Sequence, residues 1–174
     1  MEAFCSNACI ICDLDGYSGN NGGILGGVGP ADFCTQTQHN IQWIGFIANS
    51  ENITLELEVS NCEGPFPGWP LSTGLEIGIY ETFDCINTTL VTNCEGSQQA
   101  ILNNTSGTIS NLEPLVVGQY YYFVMDGQFG SVCDYQVNII EGSTEVPSLD
   151  PITGFEGTFS VSYTHLTLPT ICSL

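Results

Sequence analysis

A strict alternation of apolar and polar residues constrains the fold of this chain more than any other feature of its sequence. It runs from residue 52 to residue 61, and its apolar side carries Ile53, Leu55, Leu57 and Val59. Successive side chains of a β-strand point to opposite faces, so the pattern predicts an antiparallel strand with one face buried and the other in water. A helix would repeat its apolar residues every three to four positions, and no stretch of about ten residues or more shows that spacing.

Further short runs of strand-forming residues lie along the chain. They occupy residues 43–48, 75–80, 90–94, 105–109, 119–124 and 135–139. Glycine, asparagine and proline separate them, and segment 63–70 alone holds three prolines and two glycines, which excludes a central strand there. About seven or eight such strands predict an all-β fold, an antiparallel β-sandwich of jelly-roll or Greek-key type. Segment 13–23 has no apolar periodicity and is predicted to be a loop.

One turn carries a structural signal of its own. Leu115, Gly118 and Tyr120 follow one another as a leucine, a glycine turn and a tyrosine that enters a strand. In a tyrosine corner the hydroxyl bonds back to upstream backbone where the chain crosses between sheets. We therefore predict a tyrosine corner at Tyr120, with a structural role.

The last fourteen residues, 161–174, differ from the rest of the chain. Val161–Thr170 match one reading frame of a transposase-type sequencing adapter, which predicts that the tail is translated adapter. The alternative is a genuine threonine-rich strand. Without this tail the nine cysteines become eight and His39 becomes the only histidine.

An even number of cysteines is typical of an exported domain in which every thiol is disulfide-bonded. The eight are Cys5, Cys9, Cys12, Cys34, Cys62, Cys85, Cys94 and Cys133. Cys85 and Cys94 flank a stretch of hairpin length, and we predict that they pair. Cys62 closes one predicted strand and Cys133 opens another, which predicts a second disulfide. The other four allow three connectivities, which the sequence does not separate.

Cys9 and Cys12 form a CxxC motif, for which two other interpretations exist. A structural zinc site would take Cys5, Cys9, Cys12 and Cys34 as thiolate ligands, but their spacing is irregular for such a site. A thioredoxin-like redox motif needs a βαβ context that the sequence lacks. Disulfide bonding is the interpretation that the composition favours.

Composition divides the chain into five parts. We expect a Cys/Gly-rich segment packed on the sandwich at 1–34, the sandwich at 35–142, a linker at 143–151, the start of a further module at 152–160 and the adapter-derived tail at 161–174. The first residues lack the basic and apolar regions of a signal peptide, whereas the cysteines predict export. We therefore expect the chain to be a fragment of a longer protein.

The charge of the chain excludes several classes of function. It has no lysine or arginine, 19 aspartate and glutamate residues and a formal net charge of −19. Nucleic-acid binding needs cations that replace the counterions of phosphates, and lysine-based covalent catalysis needs a lysine. An anionic membrane would repel the chain, and no apolar run approaches the roughly twenty residues of a membrane span, so we expect no membrane insertion. Hydrophobic residues make up 43%, which separates the chain from disordered acidic proteins.

Two acidic loops are candidate calcium sites. Asp13 and Asp15 resemble the start of a calcium loop, although the later ligands of an EF-hand are absent. Asp126 and Asp134 lie at the two ends of a predicted hairpin loop. Acid-rich loops of extracellular modules bind Ca²⁺ weakly, whereas the simpler interpretation is a turn, because Asp-Gly suits turns on backbone grounds alone. Calcium is the only cofactor that the sequence suggests.

Phe66 and Trp69 lie in the proline-rich segment 63–70. Aromatic side chains on a stiff exposed loop could stack on a sugar ring or contact a partner protein, or they could fold back and cap the edge of the sandwich. His39 stands at the mouth of the first predicted strand, where we expect it to be hydrogen-bonded or solvated. The sequence has no GxSxG nucleophile elbow, and we assign no catalytic residue.

Five stretches, 12–17, 39–46, 74–80, 118–127 and 133–135, resemble a known type of domain. It is the N-terminal β-sandwich module of large secreted bacterial surface proteins, similar in pattern to pre-peptidase C-terminal domains. Such chains continue into Ig- or PKD-like repeats and end in a type IX sorting domain. The resemblance spans about residues 5–146 and implies export and a multidomain setting, and it carries over no catalytic residue.

We therefore expect a non-catalytic extracellular or cell-surface module that serves adhesion, ligand binding or spacing. Its expected partners are other domains of the same chain and a glycan or protein ligand. The alternatives are an accessory domain of a secreted peptidase or glycosidase whose catalytic domain lies elsewhere, and a subunit of an extracellular structural assembly.

Overall fold

The structure of the chain is a computed structural model that describes residues 3–23, 26–34, 37–69, 73–94 and 100–145. The predicted linker beyond residue 145, the expected further module at 152–160 and the expected adapter tail at 161–174 lie outside the described residues.

The described residues form a sandwich of two β-sheets, which confirms the predicted all-β fold. Sheet A has the strand order β1-β3-β9-β5-β6, with β7 also paired to β5, and sheet B has the order β2-β10-β4-β8. The strands are β1 (Cys9–Ile11), β2 (Ser18–Asn20), β3 (Gln42–Ile47), β4 (Thr54–Glu63), β5 (Gly74–Glu81), β6 (Thr89–Leu90), β7 (Ile101–Leu102), β8 (Thr105–Ser110), β9 (Tyr120–Gly127) and β10 (Val132–Glu141). Short 3₁₀ turns lie at Cys5–Asn7 and Gln128–Gly130.

The alternation in β4 produces the burial that it predicts. Leu55, Leu57 and Val59 are at most 2% exposed and belong to the core between the sheets, whereas Glu58 is exposed. Their neighbours across the sheet, from β10, alternate in a similar way, and strands of sheet A supply every second residue to the other side of the core. The core residues of β5, β9 and β10 are Leu75, Ile77, Ile79, Tyr121, Phe123, Met125, Cys133, Tyr135 and Val137.

Sheet A is buried on both faces because the N-terminal segment covers its outer face. Trp43, Tyr80 and Val124 point outward from three strands of sheet A and pack with Phe33 and Cys5 in a second apolar cluster. Two strands of this segment were not predicted. β1 pairs in parallel with β3, and β2 lies within the predicted loop 13–23, where it pairs with β10. These short strands have little apolar periodicity because each adds only three residues to a sheet edge.

The predicted disulfide Cys62–Cys133 is confirmed, and it joins the ends of β4 and β10 with a Cα–Cα distance of 4.0 Å. The predicted disulfide Cys85–Cys94 is wrong. Cys85 pairs with Cys5 and Cys94 pairs with Cys34, each with a Cα–Cα distance of 5.6 Å. Both bonds fasten the N-terminal segment to loops of sheet A. Cys9 is also disulfide-bonded, and Cys12 has a free, exposed thiol, so the prediction that all eight cysteines are bonded is wrong at Cys12.

A tyrosine corner exists one residue beyond the predicted position. The Val116 N–H donates to the hydroxyl of Tyr121 at 3.0 Å, where the chain crosses from β8 in sheet B to β9 in sheet A. Tyr121 is 2% exposed and its ring lies next to Phe46, whereas Tyr120 is 40% exposed. The alternation of side chains along β9 decides which tyrosine forms the corner, because only the odd-numbered residues of this strand face the core.

Three disulfides among the described residues indicate an oxidising environment. In the part of the chain that the structure describes, no helix has the length and apolar character needed to cross a membrane.

Candidate functional site

Three connections meet at one end of the sandwich. They are residues 37–41 before β3, residues 64–69 after β4 and residues 128–131 between β9 and β10. The strand registers bring them together, because the start of β3 pairs with the end of β9 and the end of β4 pairs with the start of β10. We call the three aromatic residues gathered there, Phe66, Trp69 and Phe129, the aromatic tip.

The rings of the aromatic tip touch one another in series. Phe66 and Trp69 pack edge to face, with ring centroids 4.7 Å apart and an interplanar angle of 89°. Trp69 and Phe129 are 6.2 Å apart at 51°. Phe66 is 56% exposed and Phe129 is 43% exposed, while Trp69 between them is partly buried. The result is an apolar surface of two exposed rings supported by a third.

The local sequence explains how Phe66 and Trp69 come together. Residues 66–69 have the pattern of a type II turn, with Pro67 at its second position and Gly68, whose φ is +81°, at its third. The Trp69 N–H donates to the carbonyl of Phe66 at 3.2 Å and closes the turn. A side chain at Gly64 would collide with Trp69, so a glycine is needed there for the indole to lie against the loop. The turn therefore places both aromatic residues next to each other with little loss of conformational entropy.

Phe129 is held in a backbone conformation that is rare for a bulky residue. Its φ is +54°, in the left-handed region that favours glycine. The surrounding connection is closed by the Ser131 N–H and hydroxyl, which donate to the carbonyl of Gln128 at 3.0 and 2.6 Å. Strained backbone of this kind persists where the neighbouring structure fixes it, and it is concentrated at functional sites.

A buried polar cluster supports the tip from inside the sandwich end. The carboxylate of Asp126, which is fully buried, accepts hydrogen bonds from the backbone N–H of Asn40 at 2.7 Å and of His39 at 3.1 Å. The side chain of Asn40 in turn accepts from the Gly127 N–H at 2.9 Å and donates to the Ser131 carbonyl at 3.0 Å. The connection before β3 and the connection that carries Phe129 are thereby joined.

His39 links this cluster to the aromatic tip. Its Nδ1 lies 3.5 Å from a carboxylate oxygen of Asp126, and its side chain is 32% exposed. A Cβ placed on Gly130 would lie 3.8 Å from both the Cβ of His39 and the Cβ of Pro65, so the three connections are in contact. Burial raises the pKa of Asp126 above its usual range, against the opposing effect of its hydrogen bonds and of the nearby imidazole.

The groove beside the tip has a volume of about 650 Å³. It is lined by the turn residues together with Cys62, Glu63 and Thr73. Among the described residues, the indole Nε1 of Trp69 is buried without a hydrogen-bond partner. The groove lining combines the aromatic and proline side chains of the turn with polar atoms, among them the carboxylate of exposed Glu63.

The calcium candidates are distributed over different parts of the molecule. Asp126 points outward from sheet A, whereas Asp134 points outward from sheet B and accepts from the side chains of Asn20 and Asn61 at 2.6 and 2.9 Å. The two residues lie at the two ends of the connection between β9 and β10, and the alternation of side chains along these strands directs them to opposite outer faces. Calcium binding at Asp126 and Asp134 stays a prediction.

Asp13 and Asp15 accept hydrogen bonds within the structure. Asp13 accepts from the Asp15 N–H at 3.0 Å and from the hydroxyl of Thr144 at 2.9 Å, and Asp15 accepts from the Ile139 N–H at 2.8 Å. Within the described ranges, no group of three or more histidine, cysteine, aspartate or glutamate side chains could hold a metal ion. Calcium binding at Asp13 and Asp15 stays a prediction.

Sequence reasoning identified Phe66 and Trp69 and missed Phe129. The structure brings the first two together and adds Phe129 from the connection between β9 and β10. The available signal was an aromatic residue directly before a glycine in a predicted hairpin loop, but its proximity to residue 69 depends on the pairing of β10 with β4, which are far apart in the sequence.

Comparisons with protein-family models, with curated proteins and with solved structures found no match to this chain.

Proposed function

We propose that this chain is a non-catalytic, extracellular ligand-binding module and that the aromatic tip is its binding surface. The observation that carries the proposal is the exposure of Phe66 and Phe129 on connections that are fixed by a proline turn, by a strained residue and by a buried polar cluster. Exposed apolar groups on rigid supports bind with little loss of conformational entropy. Three disulfides support an extracellular location.

The position of the tip supports a role in adhesion. β10 starts next to the tip at Val132 and ends at Glu141, at the opposite end of the sandwich. The tip and the end of β10 are therefore separated by the length of the sandwich. In the multidomain surface protein that the sequence resembles, a following module attached after β10 would leave the tip accessible. This resemblance stays a prediction.

An array experiment tests the proposal. The labelled chain is applied to an array that carries neutral, anionic and cationic oligosaccharides together with acidic and basic peptides. We expect at least one class to be retained by the native chain and lost in the double variant Phe66→Ala/Phe129→Ala. The control is Phe83→Ala, because Phe83 is 84% exposed and follows β5 at the opposite end of the sandwich. Binding that the double variant and the control retain equally, or no binding to any class, would overturn the proposal.

A further inference from the structure

The aromatic tip has a shape and an electrostatic environment that select one class of ligand. We propose that it binds an uncharged polymer of hexopyranose sugars, with the C–H face of a sugar ring stacked on Phe66 and Phe129. This inference rests on the proposed function, since it names the ligand of the same surface.

Anionic ligands are disfavoured by the charge of the whole chain. It has no lysine or arginine and a net charge of −19, so no side chain can form a guanidinium or ammonium pair with a carboxylate, sulfate or phosphate. The charged side chain at the rim of the groove is Glu63, which would repel such groups. Polysaccharides that carry uronic acids or sulfates are therefore poor candidates.

The packing of the rings argues against a cage for a cation. An aromatic cage holds an ammonium group between ring faces, each within about 6 Å of the cation. Here the edge of one ring already occupies the face of the next, because Phe66 and Trp69 are in contact at 4.7 Å. The tip is thus a continuous surface rather than an enclosed box.

The remaining chemistry fits a neutral sugar. The face of an aromatic ring is electron-rich, and the axial C–H groups of a pyranose are weakly positive, so the two surfaces attract when stacked. The two exposed rings lie on either side of Trp69, with centroids 4.7 and 6.2 Å from the indole, so the tip offers two aromatic contacts, which suits a chain of sugars. Hydrogen-bonding groups for sugar hydroxyls are the Glu63 carboxylate in the groove and the partly exposed His39 imidazole in the neighbouring connection.

Affinity electrophoresis with soluble polysaccharides and isothermal titration with defined hexamers test the inference. The neutral panel contains β-glucan, mannan, galactan and the hexamer of N-acetylglucosamine. The charged probes are the deacetylated form of that hexamer, which is cationic, and hexagalacturonate, which is anionic. We expect at least one neutral polymer to bind and both charged hexamers to bind more weakly.

The variants show whether binding occurs at the tip. Phe66→Ala and Phe129→Ala should each weaken binding of the neutral polymer about three- to tenfold, because each removes one aromatic contact. Phe66→Tyr keeps a ring and should bind within about twofold of the native chain, as should Phe83→Ala. Thermal unfolding of each variant confirms that it is folded.

Each remaining outcome overturns the sugar assignment. If none of the neutral polymers binds, or if binding is unchanged in Phe66→Ala and Phe129→Ala, the assignment is wrong. If only the cationic hexamer or a basic peptide binds and the tip variants lose that binding, the tip remains a binding surface and only its ligand class changes. The proposed function fails separately, when the array shows no tip-dependent binding of any class.

Discussion

Tyr121 fastens the crossover between the two sheets through one hydrogen bond to the backbone. Its hydroxyl accepts from the Val116 N–H at 3.0 Å in the crossover between β8 and β9. Loss of this oxygen would remove the bond, and because Val116 is 60% exposed, the cost is that of an ordinary hydrogen bond, about 0.5–1.5 kcal/mol. We therefore expect Tyr121→Phe to lower the free energy of unfolding by about 0.5–1.5 kcal/mol, measured by urea denaturation.

The adjacent residue supplies the control. Tyr120 is 40% exposed, and Tyr120→Phe should change the free energy of unfolding by no more than about 0.5 kcal/mol. Equal effects of the two substitutions would show that the corner does not depend on Tyr121.

The sequence motif identified the turn of the tyrosine corner correctly but not the tyrosine. A shift of one residue along a strand moves a side chain to the opposite face of the sheet, and only the register of β9 against its neighbours decides which tyrosine faces the core.

Asp126 is a buried carboxylate in a chain that has no lysine or arginine. Burial raises the pKa of Asp126, so the folded state holds this proton to a higher pH than the unfolded state does. Above the unfolded pKa the unfolded chain ionises first, and the contribution of Asp126 to stability falls as the pH rises through the folded pKa. The group facing it that can offset this loss is His39, which lies 3.5 Å away and attracts the carboxylate when protonated.

Asp126→Asn should therefore become more stable relative to the native chain as the pH rises from about 4 to about 8. Asparagine keeps an acceptor oxygen for the Asn40 N–H, but it does not ionise. The measurement is the difference in the free energy of unfolding between the two proteins at several pH values. The matched control is Asp134→Asn, because hydrogen bonds from Asn20 and Asn61 lower the pKa of partly exposed Asp134. Asp134→Asn should lose stability relative to the native chain as the pH rises from about 2 to about 4, because the Asp134 carboxyl ionises at a lower pH in the folded state than in the unfolded state. The same direction of change in both variants would contradict the assignment.

At the scale of elements, the longer strands were predictable from the sequence, whereas the contacts between segments that are distant in the sequence were not. The alternation of apolar and polar residues in β4 and in β10 indicates that one face of each strand is buried. This pattern can be read from residues that are neighbours in the sequence. β1 and β2 have three residues each, and their extended conformation is stabilised by pairing with the edges of the sheets that they join. The turn at 66–69 was encoded locally, by Pro67 and Gly68, whereas the contact of Trp69 with Phe129 depends on the pairing of β4 with β10, which are far apart in the sequence.

The disulfides show the same distinction. Cys62 and Cys133 end neighbouring strands, so their pairing follows from the sheet. Cys85 and Cys94 are close in sequence, but each is directed to the N-terminal segment that covers sheet A, where Cys5 and Cys34 lie. No local pattern encodes that packing.

Peptide mapping under non-reducing conditions tests this connectivity. We expect cross-linked fragments that join Cys5 to Cys85, Cys34 to Cys94 and Cys62 to Cys133. Trypsin cannot be used because the chain has no lysine or arginine, but chymotrypsin can cut after Leu90 and thereby separates Cys85 from Cys94. A reduced digest is the control, in which every cross-linked mass should disappear. A fragment that joins residues 85–90 to residues 91–94 would contradict the fold of the N-terminal segment on sheet A.

The negative charge of the whole molecule is not balanced by lysine or arginine side chains. Nineteen carboxylates face no lysine or arginine, so ordinary surface salt bridges cannot form, and the net charge of −19 repels itself in the folded state. The unfolded chain is more expanded and suffers less from this repulsion. Electrostatics should therefore destabilise the folded module at neutral pH, while the two apolar clusters and the disulfides stabilise it.

Salt should consequently stabilise this protein more than it does a protein of balanced charge. Raising NaCl from about 0.01 M to about 0.1 M shortens the screening length from about 30 Å to about 10 Å, which weakens repulsion between carboxylates across the surface. We expect the Tm at pH 8 to rise over this range in thermal unfolding followed by circular dichroism. The control uses the same salt steps at about pH 3.3, where most of the 19 carboxylates are protonated and the few that remain ionised balance the two histidines and the amino terminus, so the Tm should hardly change. An equal rise at both pH values would mean that salt acts on apolar burial or on hydration, and the charge imbalance would then contribute little to stability.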